Sequence, residues 1–214
     1  MEIRIDHIIP EPLKSRIGEQ HSDVWDRQQV FMPGEYVFFR APSGKGKSTF
    51  MHILYGMRKD YEGNAYWSGK VAATQLQEQW AGWRSTRISI VFQDLRLFGD
   101  LSVAENLLIK QSLTGTITPD IIREWLALLG LEHKWEQRAD TLSYGERQRV
   151  AIIRSLIQPF QWLLLDEPFS HLDDENTRKA AQLILKRVQE QQAGILLVDL
   201  EDNDWFPYTR KMLL

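Results

Sequence analysis

The chain contains no cysteine. Disulfides and thiolate metal sites are therefore excluded, which fits a reducing compartment. It has no basic excess either: 26 Lys and Arg stand against 29 Asp and Glu, a formal charge of −3. Nucleic-acid binders carry the opposite bias, so no nucleic-acid partner is expected. No apolar run approaches the roughly 18 to 20 residues that span a bilayer. The opening residues, Met1-Glu2-Ile3-Arg4-Ile5-Asp6, alternate polar and apolar and lack a signal peptide's apolar block. The expectation is a cytoplasmic protein that meets a membrane only through another polypeptide. Internal repeats and low-complexity segments are also missing.

What is present is enough for one good-sized domain: 214 residues, 43% of them hydrophobic and 26% charged. Ile3 to Ile9 reads as a first strand ended by Pro10 and Pro12, and Val30-Phe31-Met32 with Pro33-Gly34 as a turn. Tyr36 to Phe39, Ile88 to Phe92, Trp162 to Leu165 and Ile195 to Val198 are short apolar runs of the buried-strand kind. Between them lie helical patterns. Phe50 to Met57 suits a helix, and Leu101 to Leu156 turns helical, with Ile121, Trp125 and Leu128 placed on one face. Thr177 to Gln192 is amphipathic through Ala180, Leu183, Ile184 and Val188, and Gly194 suits its end. Apolar strands alternating with helices predict an α/β fold whose sheet is mostly parallel and covered on both faces.

The chemistry begins after the Tyr36–Phe39 run, at Ala41-Pro42-Ser43-Gly44-Lys45-Gly46-Lys47-Ser48-Thr49. A phosphate loop needs G-x-x-x-x-G-K-[ST] between strand and helix, so that backbone amides and the helix N-terminus face the anion. Gly44, Gly46, Lys47 and Ser48 stand in the right places. Lys47 would neutralise the β- and γ-phosphates, and the Ser48 hydroxyl would ligate Mg²⁺. Ala41 replaces the first glycine, tolerable if its φ is negative, and Lys45 adds a charge. The bland alternative is a Gly-rich turn before a basic helix start.

Asp166-Glu167 closes the Trp162–Leu165 run. A carboxylate at the C-terminal end of a buried strand beside a phosphate loop suits a magnesium partner, here Asp166. Strand alternation would turn Glu167 the other way, where it can polarise a water for attack on the γ-phosphate. The alternative is a solvated acidic strand end.

Leu142-Ser143-Tyr144-Gly145-Glu146-Arg147-Gln148-Arg149-Val150-Ala151-Ile152 resembles the signature segment of ABC ATPases, commonly LSGGQ followed by a QRV-type helix. Ile90-Val91-Phe92-Gln93-Asp94 looks like that family's Q-loop, and Phe169-Ser170-His171-Leu172-Asp173 follows the carboxylates as its D-loop does. The resemblance runs in order from the phosphate loop to the last strand. Val91 to Leu108 is further similar to the ATPases of the lipoprotein-release, cell-division and macrolide-efflux group.

The resemblance implies a P-loop NTPase core with a small antiparallel β part and an inserted helical subdomain, divided as 1–93 and 151–214 against 94–150. It implies binding of ATP with Mg²⁺ and hydrolysis, with Glu167, Gln93 and Lys47 as the catalytic set. Ser43, Gly44, Lys45, Gly46, Lys47, Ser48 and Thr49 would hold the nucleotide. Ser143, Gly145 and Glu146 would cap it from a second nucleotide-binding domain, head to tail, most simply in a homodimer. Ser48, Gln93 and Asp166 would serve the metal. An integral membrane subunit is implied, with this chain peripheral on the cytoplasmic face of the inner or plasma membrane.

Departures from the family pattern bear on activity. Tyr144 replaces the first glycine of the signature pair. Where the family stacks an aromatic on adenine, this chain has Pro10-Glu11-Pro12-Leu13, with Trp25 as substitute or as core. Where it has a switch histidine after the Ile195–Val198 strand, this chain has Asp199-Leu200-Glu201, which predicts slow basal turnover. His171 stays near the site in sequence. A regulatory ATP-binding module with little turnover and a soluble, non-transport ABC protein are the competing functions.

Overall fold

A computed structural model describes residues 1–17 and 21–214. Strands β1 (Ile3–Pro10), β2 (Gln28–Phe31), β4 (Tyr61–Trp67) and β5 (Lys70–Val71) form an antiparallel sheet in the order β2-β1-β4-β5. A second sheet is parallel throughout. It orders β6 (Ile88–Val91), β7 (Trp162–Asp166), β8 (Gly194–Asp199), β3 (Tyr36–Arg40) and β9 (Arg210–Leu213) as β6-β7-β8-β3-β9. The fold is thus α/β with a parallel sheet and a small antiparallel part.

The parallel strands read as continuous apolar runs because both faces are covered, and side chains alternate between two cores. Phe38, Leu163, Leu165, Ile195 and Leu197 pack on the helical side with α3 (Val103–Thr114), α4 (Pro119–Leu128), α5 (Tyr144–Ile157) and α6 (Asp174–Glu190). Val37, Phe39, Leu164, Leu196 and Val198 pack on the other side, against α1 (Lys47–Leu54) and the antiparallel sheet. A further helix, α2 (Gln77–Thr86), buries Trp80 into that second core.

Three local expectations need revision. On α4 the buried stripe is Ile122, Trp125 and Leu126, continued by Leu129, while Leu128 is 47% exposed. Apolar residues cover a wide arc of this helix: Trp125 is buried as expected and Ile121 packs partly on the core, while Ile122, Leu126 and Leu129 move the centre of the buried stripe away from Leu128. On α6 the expected Ala180, Leu183, Ile184 and Val188 are buried, but Gly194 does not end the helix. Gln192 makes the left-handed turn (φ 52°), and Gly194 opens β8, where a Cβ would lie 2.4 Å from the Trp162 ring. Val30 and Phe31 belong to β2, with the turn following them. Among the described residues no helix is long and apolar enough to cross a membrane.

Candidate active site

β3, β8 and β7 are neighbours and end at the same edge of the parallel sheet, the edge where open α/β sheets bind ligands. The loop after β3 carries Ala41 to Gly46 and feeds directly into α1. Two left-handed glycines shape it, Gly44 (φ 78°) and Gly46 (φ 92°), and Gly46 is the residue preceding the helix. Ala41 is buried and does not adopt a positive φ, so an alanine costs nothing in that place. Its amide donates to the Asp199 carbonyl at 3.0 Å, and its own carbonyl accepts from Lys47 Nζ at 2.9 Å. Ser43 and Gly44 are exposed at the loop crest, Lys45 and Thr49 half-buried.

Lys47 is 6% exposed, and its ammonium lies 3.3 Å from Glu167 Oε1. Glu167 reaches it by a route the sequence does not suggest. β7 ends at Asp166, and Glu167 leaves it in a left-handed conformation (φ 48°), its amide donating to the Val198 carbonyl at 3.0 Å. Strand alternation therefore does not aim this side chain; a strained turn does. Asp166 is 1% exposed, and both its carboxylate oxygens lack a hydrogen-bond partner among the described residues. Burial is the main cause that pushes its carboxyl up to about 6, with Glu167 and Asp94 adding to the rise and Ser48 and Lys47 opposing it. The Ser48 hydroxyl is close, yet it donates to Gln93 Oε1 at 3.0 Å instead. A buried carboxylate without a partner beside a hydroxyl and an amide oxygen is a poor structural device and a good cation neighbour. This donor set fits Mg²⁺.

A cavity of about 250 Å³ joins Gly44, Gly46 to Thr49, Gln93 and Glu167, with Leu13 at its wall. The described structure thus gathers the phosphate loop, Gln93 and Glu167 into one place. Ser143, Gly145 and Glu146 do not line it. Ser143 caps α5, its Oγ accepting from Glu146 N at 3.3 Å while Glu146 Oε2 accepts from Ser143 N at 2.8 Å. Gly145 is fixed by a close approach, since a Cβ there would lie 2.8 Å from the His171 carbonyl oxygen. His171 itself stacks on Tyr144 with centroids 4.1 Å apart and does not line the cavity. Leu200 is 43% exposed and lines a neighbouring recess with Arg40, Pro42 and Glu201.

Three residues contribute more than the sequence suggested for them. Leu13 rests on the phosphate loop so closely that a Cβ on Gly46 would meet it at 2.5 Å. Trp25 is core, edge-on to Phe50, but its Nε1 also donates to the Lys45 carbonyl at 3.2 Å. It borders a second cavity of about 380 Å³ on the outer side of Gly44 and Lys45. Gln148, 2% exposed, donates to the Glu167 carbonyl at 3.1 Å and was read only as signature text.

The chain is similar to several ATP-binding proteins. The chain is 33% identical to the lipoprotein-releasing system ATP-binding protein LolD of Idiomarina loihiensis, over 85% of this chain and 81% of that protein. It is 37% identical to the cell division ATP-binding protein FtsE of Bacillus subtilis, over 68% of this chain and 64% of that one. A solved dimeric bacterial ABC transporter cassette, MJ0796, aligns with a TM-score of 0.78 at 26% identity, covering 93% of this chain and 88% of that one. The same cassette in a dimeric post-hydrolysis state with ADP and Pi aligns as well. The family model described as ABC transporter matches residues 28–170, and the chain belongs to that family as an ATP-binding cassette.

Proposed function

We propose that this cassette binds MgATP on the Ala41–Thr49 loop, hydrolyses it with Glu167 as base, and drives an integral membrane subunit as one half of a head-to-tail dimer. The observation that carries the reading is the buried Lys47–Glu167 contact of 3.3 Å beside the unpartnered Asp166. A triphosphate in the loop competes with Glu167 for the Lys47 ammonium. Once Lys47 turns to the β- and γ-phosphates, the Glu167 carboxylate is free to take a proton from water. The loop amides from Ser43 to Thr49 and the start of α1 receive the phosphates. Ser48 and Gln93 would hold Mg²⁺ directly and Asp166 through water, and the ion would supply charge neutralisation on the β- and γ-oxygens.

Ser143, Gly145 and Glu146 lie outside the cavity of their own chain, which supports a role at the nucleotide of a second copy. On this reading residues 94–150 are the helical part and 1–93 with 151–214 the core. The membrane subunit's seat is a groove of about 240 Å³ beside α3, where Phe98, Ile109 and Leu113 are exposed around Lys110 and Arg154. Burial, with Arg154 close by, holds the Lys110 ammonium below its ordinary pKa, so a partner carboxylate there would be well received. The chain is then peripheral on the cytoplasmic face.

A second reading, a regulatory module of low turnover, rests on the resemblance, by which Leu200 would stand where the family places its switch histidine. Lys47→Ala tests the main reading. It removes a charge-assisted contact of about 1.5–3 kcal/mol, so MgATP affinity by calorimetry should fall more than about tenfold. Unchanged affinity would overturn the phosphate-loop assignment.

A further inference from the structure

Tyr144, which stands in this signature segment where the family commonly has a glycine, is held by contacts on two sides. Its hydroxyl donates to the backbone carbonyl of Gln93 at 2.8 Å, across 51 positions of sequence. Its ring lies against the His171 imidazole. One helical turn on, at the i+4 position of the same face of α5, Gln148 donates to the Glu167 carbonyl at 3.1 Å and accepts from the His171 amide at 3.2 Å. The start of α5 therefore grips two separate loops, one carrying Gln93 and the other Glu167. Further along the same helix Arg154 donates to the carbonyls of Leu95 (2.7 Å) and Arg96 (2.6 Å). Those two residues are consecutive non-glycines with φ of 59° and 51°. Such a pair needs outside support, and α5 supplies part of it, beside the bonds of Leu95 N to the Phe92 carbonyl and of Arg96 to Asp94.

We infer that Tyr144 is a positioning residue for Gln93. Its hydroxyl fixes the Gln93 backbone from the signature helix, so that the Gln93 amide stays on Ser48 and at a set place relative to Glu167. The inference rests on the proposed roles of Gln93 and Glu167, and deepens them. Gln93 then links the signature segment to the phosphate loop through its own covalent frame, its backbone carbonyl accepting from the Tyr144 hydroxyl and its Oε1 from the Ser48 hydroxyl. A glycine at position 144 could make none of these contacts. Whatever the signature segment engages outside its own chain is thereby felt at the metal side of its own site.

The test is a mutant cycle in the intact chain, read as steady-state MgATP turnover. Tyr144→Phe keeps the ring on His171 and removes only the hydroxyl. It should lower kcat by about three- to tenfold, the worth of one hydrogen bond, with KM for MgATP unchanged. In a Gln93→Ala background the same substitution should change nothing further, because the group it positions is gone. Tyr144→Gly should be at least as slow as Tyr144→Phe. Wild-type kcat in Tyr144→Phe overturns the inference, and so does an equal loss with and without the Gln93 side chain, which would mark a merely structural tyrosine. Failure of the underlying reading looks different: Lys47→Ala would then still bind and turn over MgATP, whatever happens at Tyr144.

Discussion

At the phosphate loop charge is buried and left partly unanswered, whereas at the start of the signature helix Ser143 and Glu146 are answered within their own chain. Among the described residues Lys47 has only Glu167 and one carbonyl, and Asp166 has no hydrogen-bond partner. At the other end Ser143 and Glu146 close a reciprocal cap, and Lys134 pairs with Glu146 at 3.4 Å. Burying a charge is costly unless something completes its coordination, so the first region is unfinished without a ligand. The second is stable as a helix start whether or not anything docks on it. Ligand affinity should therefore reside in the phosphate loop of one chain, with the signature contributing only when a second chain arrives.

The sharpest way to break that contrast is Glu167→Gln. If Glu167 is the base, turnover should fall by about 10²–10⁴-fold while ATP is still bound. Size exclusion with ATP should then show a persistent dimer, which Ser143→Arg should prevent by blocking the facing site. Identical elution of the two variants under every condition would end the head-to-tail scheme. Next in size is Leu200→His. One missing transition-state contact costs about 10²–10³ in rate, so restoring an imidazole should raise turnover more than about tenfold. Robust wild-type turnover that Leu200→His leaves alone would show that this chain does not need the histidine.

The smallest effect concerns Asp199, at the end of β8. Burial is the main cause raising its carboxyl above the ordinary value of 3.8, so the ionised form is the unfavourable one in the fold. The unfolded chain releases this proton first as pH rises. The penalty thus grows between 3.8 and the raised value, is full above it, and is lost as pH falls back through it. Asp199→Asn should raise the melting temperature at neutral pH, with the gain shrinking toward zero in acid. A gain independent of pH would mean that ionisation at this place is harmless.

Sequence made the parallel sheet legible because strands buried on both faces are written as unbroken apolar runs, such as Leu163-Leu164-Leu165 and Leu196-Leu197-Val198. The phosphate loop was legible for a similar reason, since its glycines are demanded by backbone conformation at Gly44 and Gly46. Glu167 was found, but not the way it points: a left-handed glutamate leaves no trace in its neighbours. The face of α4 slipped because Ile121, Ile122, Trp125, Leu126, Leu128 and Leu129 cover a wide apolar arc, and spacing alone does not say which edge of it meets the core. The Tyr144–Gln93 contact joins residues 51 apart and had no local signal beyond the tyrosine's presence where a glycine is usual.

Trp25 carries an optical consequence. Its indole N–H is bonded to the carbonyl of Lys45, inside the loop that proposed nucleotide binding would rearrange, and its edge meets Phe50 on α1. Trp67 and Trp162 are fully buried, their indole N–H groups bonded to the carbonyls of Leu54 and Met1, outside that loop. Indole emission follows the polarity and hydrogen bonding around the ring. Trp25 is thus a fluorophore wired to the phosphate loop, and in a variant whose other seven tryptophans are replaced its emission should report what happens to that loop without a label.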